Sequence, residues 1–94
     1  MASAKELLKA LVNHLARLRT WQLMSSSEGS VLHYREVIRV KFNERSSGKI
    51  TIELEALNPK NVTNSTYMRA VRHELQQAFG VASQEVFGVR IEES

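Results

Sequence analysis

Between Val31 and Phe42 apolar and polar residues alternate almost without a break: Leu32, Tyr34, Ile38, Val40 and Phe42 fall on one side, His33, Arg35, Arg39 and Lys41 on the other. Period-two alternation marks a strand with one buried and one solvated face. A chain containing this segment must cover one side of a sheet with an apolar layer and leave a largely basic face on the other. Glu36 is the exception on the apolar side and predicts a bulge or a strand end there, because an unpaired buried carboxylate is costly.

A second strand is predicted over Lys49 to Leu57, where Ile50, Ile52, Leu54 and Ala56 alternate with Lys49, Thr51, Glu53 and Glu55. The intervening Glu44-Arg45-Ser46-Ser47-Gly48 reads as a hairpin loop, with Gly48 available for a positive φ. Matching the faces sets Phe42 against Ile50, Val40 against Ile52 and Ile38 against Leu54, with Lys41 against Thr51 and Arg39 against Glu53. The first strand then outruns its partner and leaves the backbone of Leu32 to Tyr34 unpaired.

Two amphipathic helices supply the covering layer. Ser3-Ala4-Lys5-Glu6 reads as a capping box for a helix from Ala4 to Leu23, with Leu7, Leu8, Leu11, Val12, Leu15 and Leu18 on one side and Lys5, Lys9, Asn13 and Arg17 on the solvated back. Trp21 lies off the centre of that stripe and is expected to close the edge of the core. Ser25 to Ser30 is a loop. The turn-rich Asn58 to Asn64 precedes a second helix capped by Asn64 or Ser65 and running to Phe79, with Gly80 at its C-terminal cap. Tyr67, Met68, Val71, Leu75, Ala78 and Phe79 form its apolar stripe, flanked by a ridge of Arg69, Arg72, His73 and Gln76. A final strand, Val86 to Glu92, is predicted with Phe87, Val89 and Ile91 inward and Gly88, Arg90 and Glu92 outward.

The order is thus α-β-β-α-β. It predicts an α+β two-layer sandwich with a three-stranded sheet in the order 2-1-3 and both helices packed on one face. The order is generically similar to that of type II KH domains, whose GxxG loop this chain lacks. With 94 residues, 43% hydrophobic and 24% charged, the chain reads as a single small domain spanning 1–94. A core of that size leaves little room for a deep pocket, which argues against a self-contained enzyme.

The open sheet face would gather His33, Arg35, Arg39, Lys41 and Arg90, and the chain carries a formal net charge of +3. That pattern points to phosphate, and so to a nucleic-acid or ribonucleoprotein contact, RNA ahead of DNA. The candidate contacts are Arg35, Arg39, Lys41, Lys60, Arg69, Arg72 and His73. Tyr34 and Phe42 fall on the helix-covered side, so phosphate contact is expected in place of base stacking. Arg39 and Lys41 are equally explained by ordinary pairing with their acidic or hydroxyl cross-strand neighbours, Glu53 and Thr51, on a solvated sheet.

The alternative is a protein-assembly module or homodimer. It would use Val31, Val37, Leu57 and Val86 on the open face, or the unpaired edge of the first strand.

Catalysis has the least support. His14, His33 and His73 sit on separate elements without metal-ligand spacing, and Ser46-Ser47-Gly48-Lys49 lacks the preceding Gly and following helix of a phosphate loop. No enzyme activity, metal or cofactor is expected. The chain has no Cys, in keeping with a reducing compartment, cytoplasmic or nuclear. Its first helix interleaves Lys5, Lys9, Arg17 and Arg19 with the apolar residues, unlike a secretory segment or a membrane span. Without a signal segment, the glycosylation patterns at Asn61-Val62-Thr63 and Asn64-Ser65-Thr66 read as coincidental.

Overall fold

The computed structural model describes residues 4–25, 30–44 and 48–88. They form α1 (Ala4–Ala16), β1 (Trp21–Ser25), β2 (Ser30–Tyr34), β3 (Ile38–Glu44), β4 (Ile50–Ala56) and α2 (Asn64–Phe87). The protein is α+β, as its patterning implies, but the sheet has four strands and not three. They run as an antiparallel meander in the order β1-β2-β3-β4, replacing the expected 2-1-3 order and its parallel crossover.

What read as one long strand from Val31 to Phe42 is two, β2 and β3. The chain reverses after Tyr34: Arg35 and Glu36 take φ of 52° and 57°, and the Val37 N–H donates to the Tyr34 carbonyl at 3.0 Å. Positive φ at both central residues is the type I′ pattern, whose twist matches that of paired strands. Glu36 is therefore neither buried nor at a bulge; it sits exposed at a hairpin tip. Tyr34 pairs with Ile38 and Leu32 with Val40.

β1 forms where the first helix was expected to continue. The helix unwinds after Ala16 through tight turns, with the Leu18 N–H bonded to the Leu15 carbonyl and the Trp21 N–H to the Leu18 carbonyl. Trp21 then pairs with Tyr34 and Leu23 with Leu32. The backbone of Leu32 to Tyr34, expected to be unpaired, is thus taken by β1.

The β3–β4 register is shifted by two residues from the expected one: Ile38 meets Ala56, Val40 meets Leu54, Phe42 meets Ile52, Arg39 meets Glu55 and Lys41 meets Glu53. A two-residue shift keeps every side chain on its expected face. Gly48 has φ of 81°, as a hairpin glycine allows.

α2 runs through Gly80 and ends only at Gly88, which takes φ of 72° and donates its N–H to the Gln84 carbonyl. An interior glycine weakens a helix by about 1 kcal/mol. Here Ala78, Gly80, Ala82 and Ser83 are all buried, so packing on both sides of Gly80 outweighs that cost. Val86 and Phe87 therefore belong to the last turn of α2 and Gly88 to its cap, and not to a strand; Val89 to Glu92 of that predicted strand lie outside the described residues. At the other end Thr63, not Asn64 or Ser65, takes the N-cap position. The Asn61 side chain accepts from the Thr63 N–H at 3.0 Å and from its hydroxyl at 2.6 Å, and the Asn64 amide donates to the Asn58 carbonyl at 2.8 Å. The expected cap at Ser3 lies outside the described residues.

Both helices pack on the face carrying Leu32, Tyr34, Ile38, Val40 and Phe42. Leu11, Val12 and Leu15 of α1, Trp21 of β1, and Val71, Leu75, Ala78 and Ala82 of α2 complete one core.

Candidate interaction surfaces

The open face of the sheet is less basic than its first strand alone implies. Arg39 is ion-paired with Glu55, and Lys41 lies opposite Glu53. The Arg39–Glu55 pair is solvated and is worth at most about 1 kcal/mol, but it cancels the charge that phosphate would read. Of the residues expected to make this face an interface, Val37 and Leu57 are joined across the sheet by the Leu57 N–H donating to the Val37 carbonyl at 2.9 Å. Val31 lies away from them, opposite Lys41 on β3, and Val86 is on α2. The four do not form one patch.

Arg35 turns its guanidinium to Tyr34. Its Nε donates to the Tyr34 hydroxyl at 3.3 Å, and its guanidinium lies 5.7 Å from the centre of the Tyr34 ring. Tyr34 in turn meets Trp21 edge-to-face at 5.2 Å and Tyr67 at 6.4 Å. The Trp21 indole N–H donates to a Glu74 carboxylate oxygen at 3.4 Å. Burial, and then the hydrogen bond and charge of Glu74, hold the Tyr34 phenol above its ordinary pKa of 10.0, with Arg35 opposing. The phenol likewise raises the Arg35 guanidinium above its ordinary value.

This cluster makes a pH prediction. A phenol whose pKa is raised on folding contributes stability that is complete below the ordinary value of 10.0 and is lost as pH rises through the folded value. Denaturation midpoints measured from neutral pH upward should fall above about pH 10, and Tyr34→Phe should flatten that fall. An unchanged slope in the variant would assign the alkaline loss elsewhere.

The α2 ridge is present. Arg69, Arg72 and His73 are exposed on successive turns of the helix, and Lys60 is exposed in the loop before it. Spacings of three and four residues place them on one helical side. Arg69 and Arg72 have no ion-pair partner among the described residues.

Sequence reasoning missed the outer edge of β4. The Leu57–Val37 bond fixes the alternation: odd-numbered residues of β4 turn their backbone groups toward β3, so Ile50, Ile52, Leu54 and Ala56 turn theirs outward. Among the described residues no strand pairs with that edge. On the helix side of β4 the apolar row is only partly covered, with Ile52 36% exposed. A trough of about 300 Å³ runs between Ile52 and Leu54 on one side and Arg72, Leu75, Gln76 and Phe79 of α2 on the other. The alternation of β4 was legible, and the expected 2-1-3 order already put this strand at a sheet edge, but its outward backbone groups were not considered as a pairing surface.

Two other depressions differ in character. One, between α1 and the ends of β2 and β3, is lined by Lys5, Leu8, Lys9, Val12 and Glu44. Another gathers Arg19, His33, Arg35 and Glu36 beside the β2–β3 hairpin. Among the described residues no group of three or more potential metal ligands occurs, and no helix is long and apolar enough to cross a membrane. No family model, curated protein or solved structure matches the chain.

Proposed function

We propose that the protein is a non-enzymatic assembly module that accepts a strand of a protein partner on the outer edge of β4. The observation that carries this reading is the edge itself: seven residues long, with outward backbone groups and a half-covered apolar row beneath them. Natural sheets blunt such edges with proline, bulges or inward-pointing charges, because an open ladder templates pairing with another chain. β4 has no proline, and its charges, Glu53 and Glu55, point to the open face. Strand addition would satisfy the backbone groups, while the Ile52–Phe79 trough would receive alternate side chains.

Affinity capture combined with lysine cross-linking tests the reading. The expected result is a partner cross-linked at Lys49, immediately before β4, and lost from an Ile52→Lys bait that still folds. Undiminished capture by that bait would sink the β4 reading.

Nucleic-acid contact is the second reading, supported by the exposed ridge of Arg69, Arg72 and His73 with Lys60 nearby. It moves the site from the sheet to α2. Phosphate binding there should weaken steeply with salt and fall further in Arg69→Glu and Arg72→Glu. A reducing, cytoplasmic or nuclear setting goes with either reading.

A further inference from the structure

Deepening the assembly reading, on which it rests, we infer that the occupant of the β4 edge is a second copy of this chain, paired antiparallel about a twofold axis at Ile52. A twofold pairing of one strand with itself must place residues so that their numbers sum to a constant, and both the pleat and the charges restrict that constant. The backbone groups free at the edge belong to Ile50, Ile52, Leu54 and Ala56, so even-numbered residues must oppose even-numbered ones. Centring on Ile52 sets Ile52 against itself, Ile50 against Leu54, Thr51 against Glu53, and Lys49 of one copy against Glu55 of the other.

Neighbouring registers are worse. An axis at Glu53 opposes that carboxylate to its own copy, and an axis at Leu54 opposes Glu53 to Glu55; like charges directly across a ladder repel. An axis at Thr51 pairs Ile50 with Ile52 and Lys49 with Glu53 but sets Gly48 against Leu54, leaving Leu54 without an apolar partner. Only the Ile52 axis matches Ile50, Ile52 and Leu54 together without opposing like charges, and it gives each Glu55 a second cation beside the Arg39 it already holds. The two sheets then join into one of eight strands. The two troughs come to lie side by side along the joint, with Arg72 and Gln76 at their rims.

A joint made by one strand edge per copy lies at the small end of protein interfaces, below roughly 1,200 Å² in total. The dimer should therefore dissociate on dilution, with a midpoint in the range of roughly 1–100 µM.

Sedimentation of the full chain from about 5 to about 500 µM, with amide exchange read at each concentration, tests the inference. The expected result is a monomer–dimer equilibrium in which the Ile50, Ile52, Leu54 and Ala56 amides slow as dimer forms. Lys49→Glu should raise the dissociation constant about tenfold, and adding Glu55→Lys should bring it back, since the swap restores opposite charges across the axis. Ile52→Lys should leave a folded monomer.

A dimer whose β4 amides stay fast overturns the inference and the assembly reading at this edge together. A monomer at every concentration with fast β4 amides overturns self-pairing but leaves the edge open for a different protein, the outcome the capture experiment then decides. A monomer whose β4 amides are slow at every concentration, and become fast when the chain is ended at Gly88, assigns the edge to the chain's own 89–94 segment and overturns both.

Discussion

Phe42→Ala is expected to lower the unfolding free energy by about 3–5 kcal/mol, the range for deleting a buried aromatic ring from a packed core. Phe42 is fully buried near the end of β3, opposite Ser30 on β2 and Ile52 on β4. Its ring lies under the helical layer, and a small residue there removes contacts that sheet and helices share. Domains of this kind have roughly 5–15 kcal/mol in total, so the variant should sit close to its unfolding transition at room temperature. Phe87→Ala is the internal comparison. That ring is 45% exposed in the last turn of α2, and its removal should cost less than about 1 kcal/mol. Urea denaturation of both variants checks the pair; equal costs would mean that the core is not centred on β3.

The layer architecture was legible because alternation and helical spacing report burial directly. Every inward residue expected between Leu32 and Phe42 is inward in the structure. The strand count was not legible, and the reason lies in one turn. Three residues, Arg35 to Val37, separate the paired Tyr34 and Ile38, so both flanking residues are even-numbered and the period-two pattern passes through the hairpin in phase. The usual marker of a type I′ turn is Asn-Gly or Asp-Gly; Arg-Glu carries no such mark. It is held in the left-handed region, which disfavours ordinary residues by roughly 1–2 kcal/mol each, by the ladders on either side. Tertiary pairing, invisible locally, wins over turn propensity.

Gly80 misled in the opposite direction. A glycine after Phe79 at the end of an apolar stripe has the form of a helix stop, and the stretch after it could be read as strand. What overrides the stop is burial of Ala82 and Ser83 on the continuing helix. The candidate site inherits these errors. With three strands and an order of 2-1-3, the basic strand sits in the centre and its face dominates. With the β3–β4 register shifted by two residues, Arg39 exchanges Glu53 for Glu55 and Lys41 gains Glu53 in place of Thr51, and the unanswered feature becomes the backbone edge of β4.

Trp21→Ala is expected to cost about 3–4 kcal/mol, and more of that loss should fall on β1 than on the rest of the sheet. Trp21 is 3% exposed. It is the residue that ties the first strand to the second helix: its ring meets Tyr34 edge-to-face and its indole N–H reaches Glu74. Removing it opens a void beneath an edge strand and leaves the half-buried Glu74 carboxylate without that donor. Trp21→Phe, which refills most of the void but not the hydrogen bond, should cost only about 1 kcal/mol. Amide exchange supplies the local readout. In Trp21→Ala the β1–β2 amides should exchange ahead of those of β3, because β1 is short, sits at the edge and carries an irregularity between Leu23 and Ser25. Once β1 frays, the His33 and Val31 backbone groups that pair with it are exposed, and the short, irregular edge of β1 is replaced by the regular edge of β2. Pairing through one edge alone closes as a dimer, whereas pairing through two different edges can add copies without limit. On the proposed β4 pairing, Trp21→Ala should therefore form open-ended aggregates at concentrations where that pairing alone would give a dimer; a destabilised variant that did not grow beyond a dimer would show that β1 stays in place without its tryptophan.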